Sequence, residues 1–511
     1  MSGRAEGPAH GRSVWSRLPA FAVPLCVWVV VPATAQCPDG TPPPCGARPA
    51  RPAAAPPPNS VAVLYLDNLS RDTADAYLAD GLTEEVIIRL GQVERLAVKS
   101  RVEVERFRGR AARQDPAALG RLLHAAYLVI GSVQRAGDRV RLRYEVIRTT
   151  TRAQVAGDVI DRASGDLLTM ESDIAREVAT AVTGRLLPEE QARLARPLTS
   201  DPLAYEEYLR GLQALNSSYD ETALRSALAH LNRAVARDSS FAAAYAGKGL
   251  AWAELADGYV SPREGYGQAR AAVAQALALD SLQALGYAVL AAAVLALDLD
   301  AHEGEQLAQH GVALNPRGDQ SHGVLSNILF AEGRIDEGLT EARLAWQADS
   351  LLSNNGVWYA QALILSHRLD SAAAFFPRLR AILPPADADA VEGMLLAARG
   401  DLRSAAPLLS WRYYGGMVAG TYVHALVARG DTVAARATVD SMVAARATGY
   451  YNPIALAKAY AALGDREHGF EWLSRAFDER TMWLTYVRLD DELAPLRADP
   501  RYAALDRQLR Y

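Results

Sequence analysis

The sequence predicts a multidomain protein in which an α/β domain is followed by an all-α superhelical solenoid. Two observations lead to this prediction. After about residue 200, Gly430-Asp431 returns 34 positions later as Gly464-Asp465, and a period of this length is typical of helix pairs that bury a continuous core only when stacked. Residues 60–190 instead alternate short β-branched runs with segments of helical spacing, a pattern typical of an α/β unit.

Composition and net charge already exclude some classes of function. A chain of 511 residues with 50% apolar and 22% charged residues is typical of an ordinary folded protein with several domains. The formal net charge is -5, and the sequence shows no clustered basic face of the kind that nucleic-acid-binding domains present. We therefore expect no nucleic-acid partner.

Residues 1–35 have the pattern of a secretory signal peptide. Three arginines precede the apolar run 18–31, and small residues follow at 33–35, so cleavage is expected after Ala35. The alternative is an uncleaved membrane anchor, although the run is short for a span and contains Pro24. These alternatives predict a periplasmic or secreted protein and an inner-membrane-anchored protein respectively.

Residues 36–59 form a predicted linker rich in Cys, Pro and Ala. Cys37 and Cys45 flank a turn-forming stretch, and paired thiols of exported proteins are normally oxidised. The sequence predicts a disulfide between them, with a free pair of thiols as the alternative. Residues 46–58 are almost entirely Pro, Ala and Arg, a composition that favours a semi-rigid tether.

The region 60–190 predicts the element order β-α-β-α-β-β-β-α. Short apolar or alternating runs predict the strands, and Asp115-Pro116 is a typical start of a helix because Asp caps exposed amides and Pro suits the first helical position. The predicted strands are 61–66, 95–100, 127–133, 140–146 and 154–160, and the helices are 81–90, the segment after 115, and 167–186.

Four motifs in this region resemble the TolB N-terminal-like domain. They are Ser60-Val61-Ala62-Val63-Leu64, Asp67-Asn68-Leu69-Ser70, Tyr77-Leu78-Ala79-Asp80-Gly81-Leu82-Thr83-Glu84-Glu85, and Tyr127-Leu128-Val129-Ile130-Gly131-Ser132-Val133 together with Gly137-Asp138-Arg139-Val140-Arg141. The resemblance implies a non-catalytic α/β module that commonly precedes tetratricopeptide repeats and often follows a cyclase, kinase or winged-helix domain. It also implies a second interaction surface.

The repeats resemble the tetratricopeptide (TPR) family. Tyr245, Gly249 and Trp252 fall at its large, small and large positions, and Ala269 and Ala276 at the small positions of the second helix. We expect about eight helix pairs within a TPR solenoid at residues 200–511, closed by a C-terminal capping helix within 490–509. One inter-helix turn is lengthened by residues 258–265.

The inner helices of such an array line its concave surface, where aromatic and arginine residues would contribute most to the binding energy. Lys248, Trp252, Asn327 and Tyr359 are the predicted contacts with a protein or peptide partner. Packing within the repeat core is the alternative for Trp252.

Motifs that would indicate catalysis are missing from the sequence. It contains no phosphate-binding Gly-rich loop with Lys-Ser/Thr, no Cys-x-x-Cys and no His-Glu-x-x-His. The predictions are therefore that the protein is not an enzyme and that it holds no cofactor or metal.

Two further features have a functional and a structural interpretation. Asp67-Asn68 and Asp80 could hold an ion or small ligand at the carboxyl edge of the sheet, with turn and cap roles as the alternative. Arginines at 106, 108, 110 and 113 could meet an anionic partner, with a solvated loop as the alternative.

Taken together, these patterns predict a non-enzymatic exported bacterial scaffold that binds protein or peptide partners through its repeats. The alternative is an inner-membrane-anchored component of a signalling or envelope complex.

Mass spectrometry of the mature N-terminus separates the two. We expect a first residue of Gln36 in the soluble envelope fraction, because the small residues before it suit signal peptidase. An intact Met1 in the membrane fraction would contradict cleavage.

Overall fold

The structure is a computed structural model. It describes residues 55–511 except 106, 110–114, 164–168, 196, 218–219, 349–352 and 414–415. The predicted signal peptide, most of the linker, and Cys37 and Cys45 lie outside the described residues.

A six-stranded mixed sheet forms the centre of the N-terminal region. The strands are β1 (Ser60–Val63), β2 (Asp67–Asn68), β3 (Ala97–Val98), β4 (Tyr127–Ala136), β5 (Arg139–Arg148) and β6 (Ala153–Ala163). Their order in the sheet is β3-β1-β4-β5-β6, with β2 paired to β4. The β1 strand is parallel to β3 and β4, whereas β4, β5 and β6 form an antiparallel meander.

Five α-helices accompany the sheet, and a 3-10 turn at Thr73–Asp75 precedes the first of them. The predicted cap is present, since Asp115 accepts a hydrogen bond from the amide of Ala117 at 3.0 Å. The predicted alternation of strands and helices is present, with β2 and two short helices added. The helices are α1 (Ala76–Gly91), α2 (Arg101–Glu105), α3 (Pro116–Leu123), α4 (Met170–Thr183) and α5 (Pro188–Ala195).

Eight helix pairs follow among the described residues, as the repeat predicts. They are α6 (Pro202–Ser217) with α7 (Glu221–Arg237), α8 (Ala242–Leu255) with α9 (Pro262–Leu279), α10 (Ala284–Asp298) with α11 (Ala301–Leu314), α12 (Asp319–Ala331) with α13 (Ile335–Ala348), α14 (Ser353–Leu365) with α15 (Leu369–Arg380), α16 (Pro385–Ala398) with α17 (Leu402–Ala405), α18 (Ala419–Ala428) with α19 (Thr432–Thr448), and α20 (Pro453–Ala462) with α21 (Arg466–Glu479). A 3-10 turn, Ala406–Leu408, extends α17.

Three of the turns between paired helices are formed by the same two residues, a glycine followed by an aspartate. Gly400, Gly430 and Gly464 have φ of 85°, 82° and 78°, the left-handed conformation that commonly ends a helix and that glycine adopts without strain. The aspartate after each glycine accepts a hydrogen bond from the amide three residues on, at 3.1 to 3.2 Å. The Gly-Asp pair therefore ends one helix and starts the next.

Small residues bring the two helices of a pair close together. A Cβ at Gly249 would lie 2.5 Å from Val273 and 3.3 Å from the carbonyl oxygen of Ala269, so any larger residue would force α8 and α9 apart. Ala269 and Ala276 are fully buried. These contacts explain the small positions of the repeat.

The α/β region and the first helix pair share one apolar core, in which α1 and α4 pack together and α1 packs against α6. A buried charge cluster lies at this junction. Arg89 lies 3.4 Å from Glu85 and 3.3 Å from Glu171, beside the buried ring of Tyr205. Burial raises the pKa of Glu171, whereas the charge of Arg89 opposes the rise.

The C-terminal segment, defined here as residues 480–511, returns to the middle of the repeat array. Its elements are the 3-10 helices Met482–Tyr486 and Asp491–Leu493, then α22 (Ala494–Arg497) and α23 (Tyr502–Asp506). The amide of Arg510 donates to the carbonyl of Leu299 at 2.9 Å, and the amide of Ala301 donates to the carbonyl of Arg510 at 3.1 Å. This segment caps the last pair and also contacts α12.

A buried carboxylate anchors this return. Asp257, in the lengthened turn after α8, is 8% exposed and accepts hydrogen bonds from Asn452 at 3.3 Å, from the hydroxyl of Thr481 and from the amide of Met482 at 3.0 Å. Burial raises the pKa of Asp257 to about 6, although the bonds from Thr481 and Met482 oppose the rise. We call these four residues the Asp257 clasp.

Asp257→Ala leaves three donors of the Asp257 clasp without their acceptor, so we expect the free energy of unfolding to fall by about 3 kcal/mol. Because the folded pKa is raised above the unfolded value, the stability that Asp257 adds is fully present below its unfolded pKa and declines as pH rises through about 6. The difference between wild type and variant should therefore be about 1 kcal/mol larger at pH 5 than at pH 8 in urea unfolding.

The control is Asp298→Ala, which removes an exposed ion pair with Arg270 and should change stability by less than about 1 kcal/mol at either pH. If the stability lost in Asp257→Ala increased with pH, that result would contradict the raised pKa of Asp257.

Candidate functional site

We call the first helices of the eight pairs the inner layer. Within it α10 packs against α8 and α12, α14 against α16, and α18 against α20. A groove of about 100 Å³ opens between α12 and α14 beside the C-terminal segment. Its lining residues are Asp319, Gln320, Gly323, Val324, Ser326, Asn327, Ala342, Ala345, Asn354, Asn355, Trp358, Tyr359, Ala362 and Tyr486.

Aromatic side chains form much of the groove wall. The hydroxyl of Tyr486 donates to Oδ1 of Asn327 at 2.6 Å, and its ring lies 5.7 Å from that of Phe330. Trp358 and Tyr359 are partly buried against the same cluster, and Tyr359 meets the ring of Phe375 edge-on at 4.9 Å. These contacts hold the rings in place, as a binding surface requires.

The polar part of the groove carries negative charge. Asp319, in the first turn of α12, accepts hydrogen bonds through Oδ2 from the side-chain amides of Gln320 at 3.3 Å and Asn355 at 3.2 Å. Burial, with the charge of Asp319 as the second cause, raises the pKa of Glu254 to about 7. Glu254 lies in the last turn of α8, so a second inner-layer helix adds a carboxyl to this part of the array.

The structure brings together two of the four predicted partner contacts. Asn327 and Tyr359 both line the groove, whereas Lys248 and Trp252 lie on α8 and are not among its lining residues. Trp252 packs beside Val273 and Val289 between α9 and α10, which is the packing role named as its alternative. Lys248 is half-buried.

The sequence analysis did not predict the remaining groove residues. Asn354-Asn355 followed by Trp358-Tyr359 places amides and aromatics on one helix, and this pattern could have indicated the site. Nothing local could have indicated Tyr486, because it reaches the groove across 159 residues of chain from Asn327.

The carboxyl edge of the sheet is occupied by the chain's own polar contacts. Asp80 pairs with Arg108 at 2.5 Å, and Asn68 accepts a hydrogen bond from the amide of Ser70 at 2.9 Å, which is the turn role. Arg108 also pairs with Glu105 at 2.7 Å. The other arginines of the predicted patch, at 106, 110 and 113, lie outside the described residues.

Within the described ranges, no α-helix has both the length and the apolar character needed to cross a bilayer.

Comparison with known proteins gives one partial sequence relative. No family model matches the chain. A stretch of 199 residues, 38% of this chain, is 32% identical to a protein of Rhizobium meliloti (strain 1021) named "Putative adenylate cyclase 3". The match spans about a third of the length of that relative, 33%.

This relative corrects one prediction. The sequence predicted a protein that is not an enzyme, and this comparison contradicts that prediction, because 38% of the chain matches part of a protein named as an enzyme.

Solved structures with helical repeats resemble part of the chain. PilW, a type IV pilus biogenesis factor, is 13% identical over 40% of this chain and 90% of its own, with a TM-score of 0.32. A thermophilic TPR protein of Thermus thermophilus, TTC0263, is 17% identical over 38% of this chain and 98% of its own, also at 0.32. YrrB, a TPR protein with an unusual peptide-binding site, is 20% identical over 39% of this chain and 91% of its own, with a TM-score of 0.25. TM-scores this low support no inference about function.

The carboxyl of Glu254 should titrate with a midpoint near pH 7 in carbon-13 NMR, with its resonance assigned by Glu254→Gln. In Asp319→Asn the midpoint should fall, because a neighbouring negative charge no longer opposes ionisation.

Asp336→Asn is the matched control, since Asp336 is an exposed residue of α13 paired with Arg368, and it should leave the midpoint unchanged. An unchanged midpoint in Asp319→Asn would show that the two carboxyls do not interact.

Proposed function

We propose that this chain is a scaffold that binds a protein or peptide segment in the groove between α12 and α14. The observation that carries the proposal is the groove itself, which combines fixed aromatic rings with side-chain amides on adjacent inner-layer helices. Asn and Gln side chains both donate and accept hydrogen bonds, so they suit the backbone of an extended segment. Trp and Tyr are enriched among residues that dominate binding energy.

The helix pairs belong, in this proposal, to a TPR-type array. Its supports are the 34-residue period, the close approach at Gly249 and the Gly-Asp turns. The region 60–190 is proposed as a TolB N-terminal-like module that offers a second interaction surface. The mixed sheet and its helices support this assignment, as do the four sequence motifs.

Export is proposed from the sequence. The signal-peptide pattern of residues 1–35 and the pair Cys37 and Cys45 support a periplasmic or secreted scaffold with a small disulfide loop. The alternative, an inner-membrane-anchored component of an envelope or signalling complex, depends on the same segment remaining uncleaved.

Photo-crosslinking tests the groove directly. With p-benzoylphenylalanine at Gln320, inside the groove, we expect a discrete crosslinked product in an envelope extract of the source cells, and excess unlabelled protein should suppress it. The same group at Val433, 80% exposed on the outer helix α19, should give no such product.

Trp358→Ala in the Gln320 photo-probe protein should reduce the yield of that product about tenfold, because interface aromatics commonly contribute more than about 1 kcal/mol. Circular dichroism confirms that the variant is folded. Equal products from both photo-probe positions, or none from Gln320, would contradict a partner in the groove.

A further inference from the structure

We propose that a proton held between His322 of α12 and Glu341 of α13 sets the shape of the groove, so that binding of a partner segment is controlled by pH. This inference rests on the proposed function and names the regulation of the same site. Binding should be strong while the proton is in place and should weaken as rising pH removes it.

His322 is a buried histidine with an acceptor at each ring nitrogen. Its side chain is 7% exposed. Its Nδ1 lies 2.5 Å from Oε2 of Glu341, and its Nε2 lies 3.1 Å from the carbonyl oxygen of Pro316. A carbonyl oxygen can only accept a hydrogen bond, so Nε2 carries a hydrogen in this arrangement. The partner at Nε2 therefore decides the tautomer of the ring.

The contact with Glu341 then requires a second proton. With its hydrogen on Nε2, a neutral imidazole presents a lone pair at Nδ1, and this lone pair would face the negative oxygen of an ionised carboxylate. A proton between Nδ1 and Oε2 replaces that repulsion with a hydrogen bond. Hydrogen bonds between charged groups are about twice as strong as those between neutral groups. The contact between His322 and Glu341 is therefore stable only while the proton is present.

The surroundings of His322 hold this proton at neutral pH. Burial disfavours the charged ring, whereas the hydrogen bonds to Glu341 and to the carbonyl of Pro316 favour it. The negative charges of Glu341 and of Asp319, one turn earlier on α12, favour it too, and the net effect raises the pKa of His322 above its usual value. Because the folded pKa is raised, the stabilisation is fully present below the unfolded pKa and is lost as pH rises through the folded pKa.

The two hydrogen bonds of His322 fix the start of α12, which forms one side of the groove. Pro316 belongs to the turn before α12, and Glu341 belongs to α13, which also lines the groove. Asp319, in the first turn of α12, accepts a hydrogen bond across the groove from Asn355 of α14 at 3.2 Å. Loss of the proton removes the tie between this first turn and α13, so the distance between α12 and α14 should change.

The turn before α12 also contacts the α/β region. Arg317 is the cationic residue of this turn, and its guanidinium donates a hydrogen bond to the carbonyl oxygen of Val98 in β3. The carbonyl that His322 holds is that of the preceding residue, Pro316. Loss of the proton should therefore loosen this contact together with the groove.

Fluorine NMR of the full chain labelled with 5-fluorotryptophan measures the groove, because Trp358 lines it. Trp358→Phe assigns the resonance. Nitrogen-15 NMR of the histidine rings measures the protonation of His322, and His322→Gln assigns that signal. Both signals are followed from about pH 5.5 to about pH 9, which spans the usual pKa of histidine.

We expect the Trp358 resonance to shift with the midpoint of His322, which should lie above about 6.5. This step should be absent from His322→Gln, whose side chain can donate to the carbonyl of Pro316 but does not titrate. In Glu341→Gln the step should move to lower pH, because a neutral acceptor favours the charged ring less than a carboxylate does.

The matched control is His468→Gln. His468 also pairs with a carboxylate, that of Asp465 at 2.8 Å, but its side chain is 57% exposed on α21, so the Trp358 step should be unchanged. A step that persists in His322→Gln would overturn the inference and assign the pH response to another group, such as Glu254, whose pKa is raised to about 7. A His322 ring that is neutral at pH 6 would overturn it as well.

The photo-probe at Gln320 separates this inference from the proposed function. Between one pH unit below and one pH unit above the His322 midpoint, the protonated fraction falls about tenfold, so the yield of crosslinked product should fall about fivefold or more. In His322→Gln the yield should change less than about twofold over the same interval.

Equal yields of the product at both pH values would overturn the pH control and leave the proposed function in place. If no product forms at either pH while Trp358 shifts with His322, the proposed function is wrong, and the control of binding is wrong with it.

Discussion

The hydrogen bonds that buried Asp257 accepts from Asn452, Thr481 and Met482 are the interaction on which the rest of the array depends. An open stack of helix pairs leaves its last apolar face exposed, and a closing element must cover it. Here the C-terminal segment covers that face and also reaches the turn after α8, because Thr481 and Met482 donate to Asp257, 224 and 225 residues earlier in the chain. The lengthened turn that carries Asp257 therefore fixes where the segment runs.

The C-terminal segment covers one part of the inner layer and leaves another part accessible to solvent. Lys458 of α20 pairs with Asp490 at 2.9 Å and Glu492 at 2.7 Å, while Tyr486 bonds to Asn327 of α12. The chain thus covers part of the surface that its repeats would otherwise offer to partners. The groove at α12 and α14 is bounded by this cover, and Tyr486 supplies one of its walls. A loosened clasp should change the groove as well as the stability.

The sequence predicted the parts of the structure that depend on local chemistry. Gly430-Asp431 and Gly464-Asp465 indicated the helix turns because a left-handed glycine and a capping aspartate act within a few residues. Asn327 and Tyr359 were placed on inner helices by the sequence, and both line the groove. The charge of Asp319, the return of Tyr486 and the role of Asp257 could not be predicted, because each depends on residues brought together from distant positions; residues 258–265 were recognised only as an irregularity. The search for catalytic motifs did not indicate the relation to a protein named as a cyclase.

Hydrogen exchange of the C-terminal segment in the intact chain tests the central claim most directly, namely that this segment lies on the array and bounds the groove. Amides such as Met482, bonded to Asp257 at 3.0 Å, and Arg510, bonded to Leu299 at 2.9 Å, should exchange as slowly as those of α12 and α20. Exchange of residues 480–511 at the rate of an unstructured peptide, with α12 and α20 still protected, would contradict it.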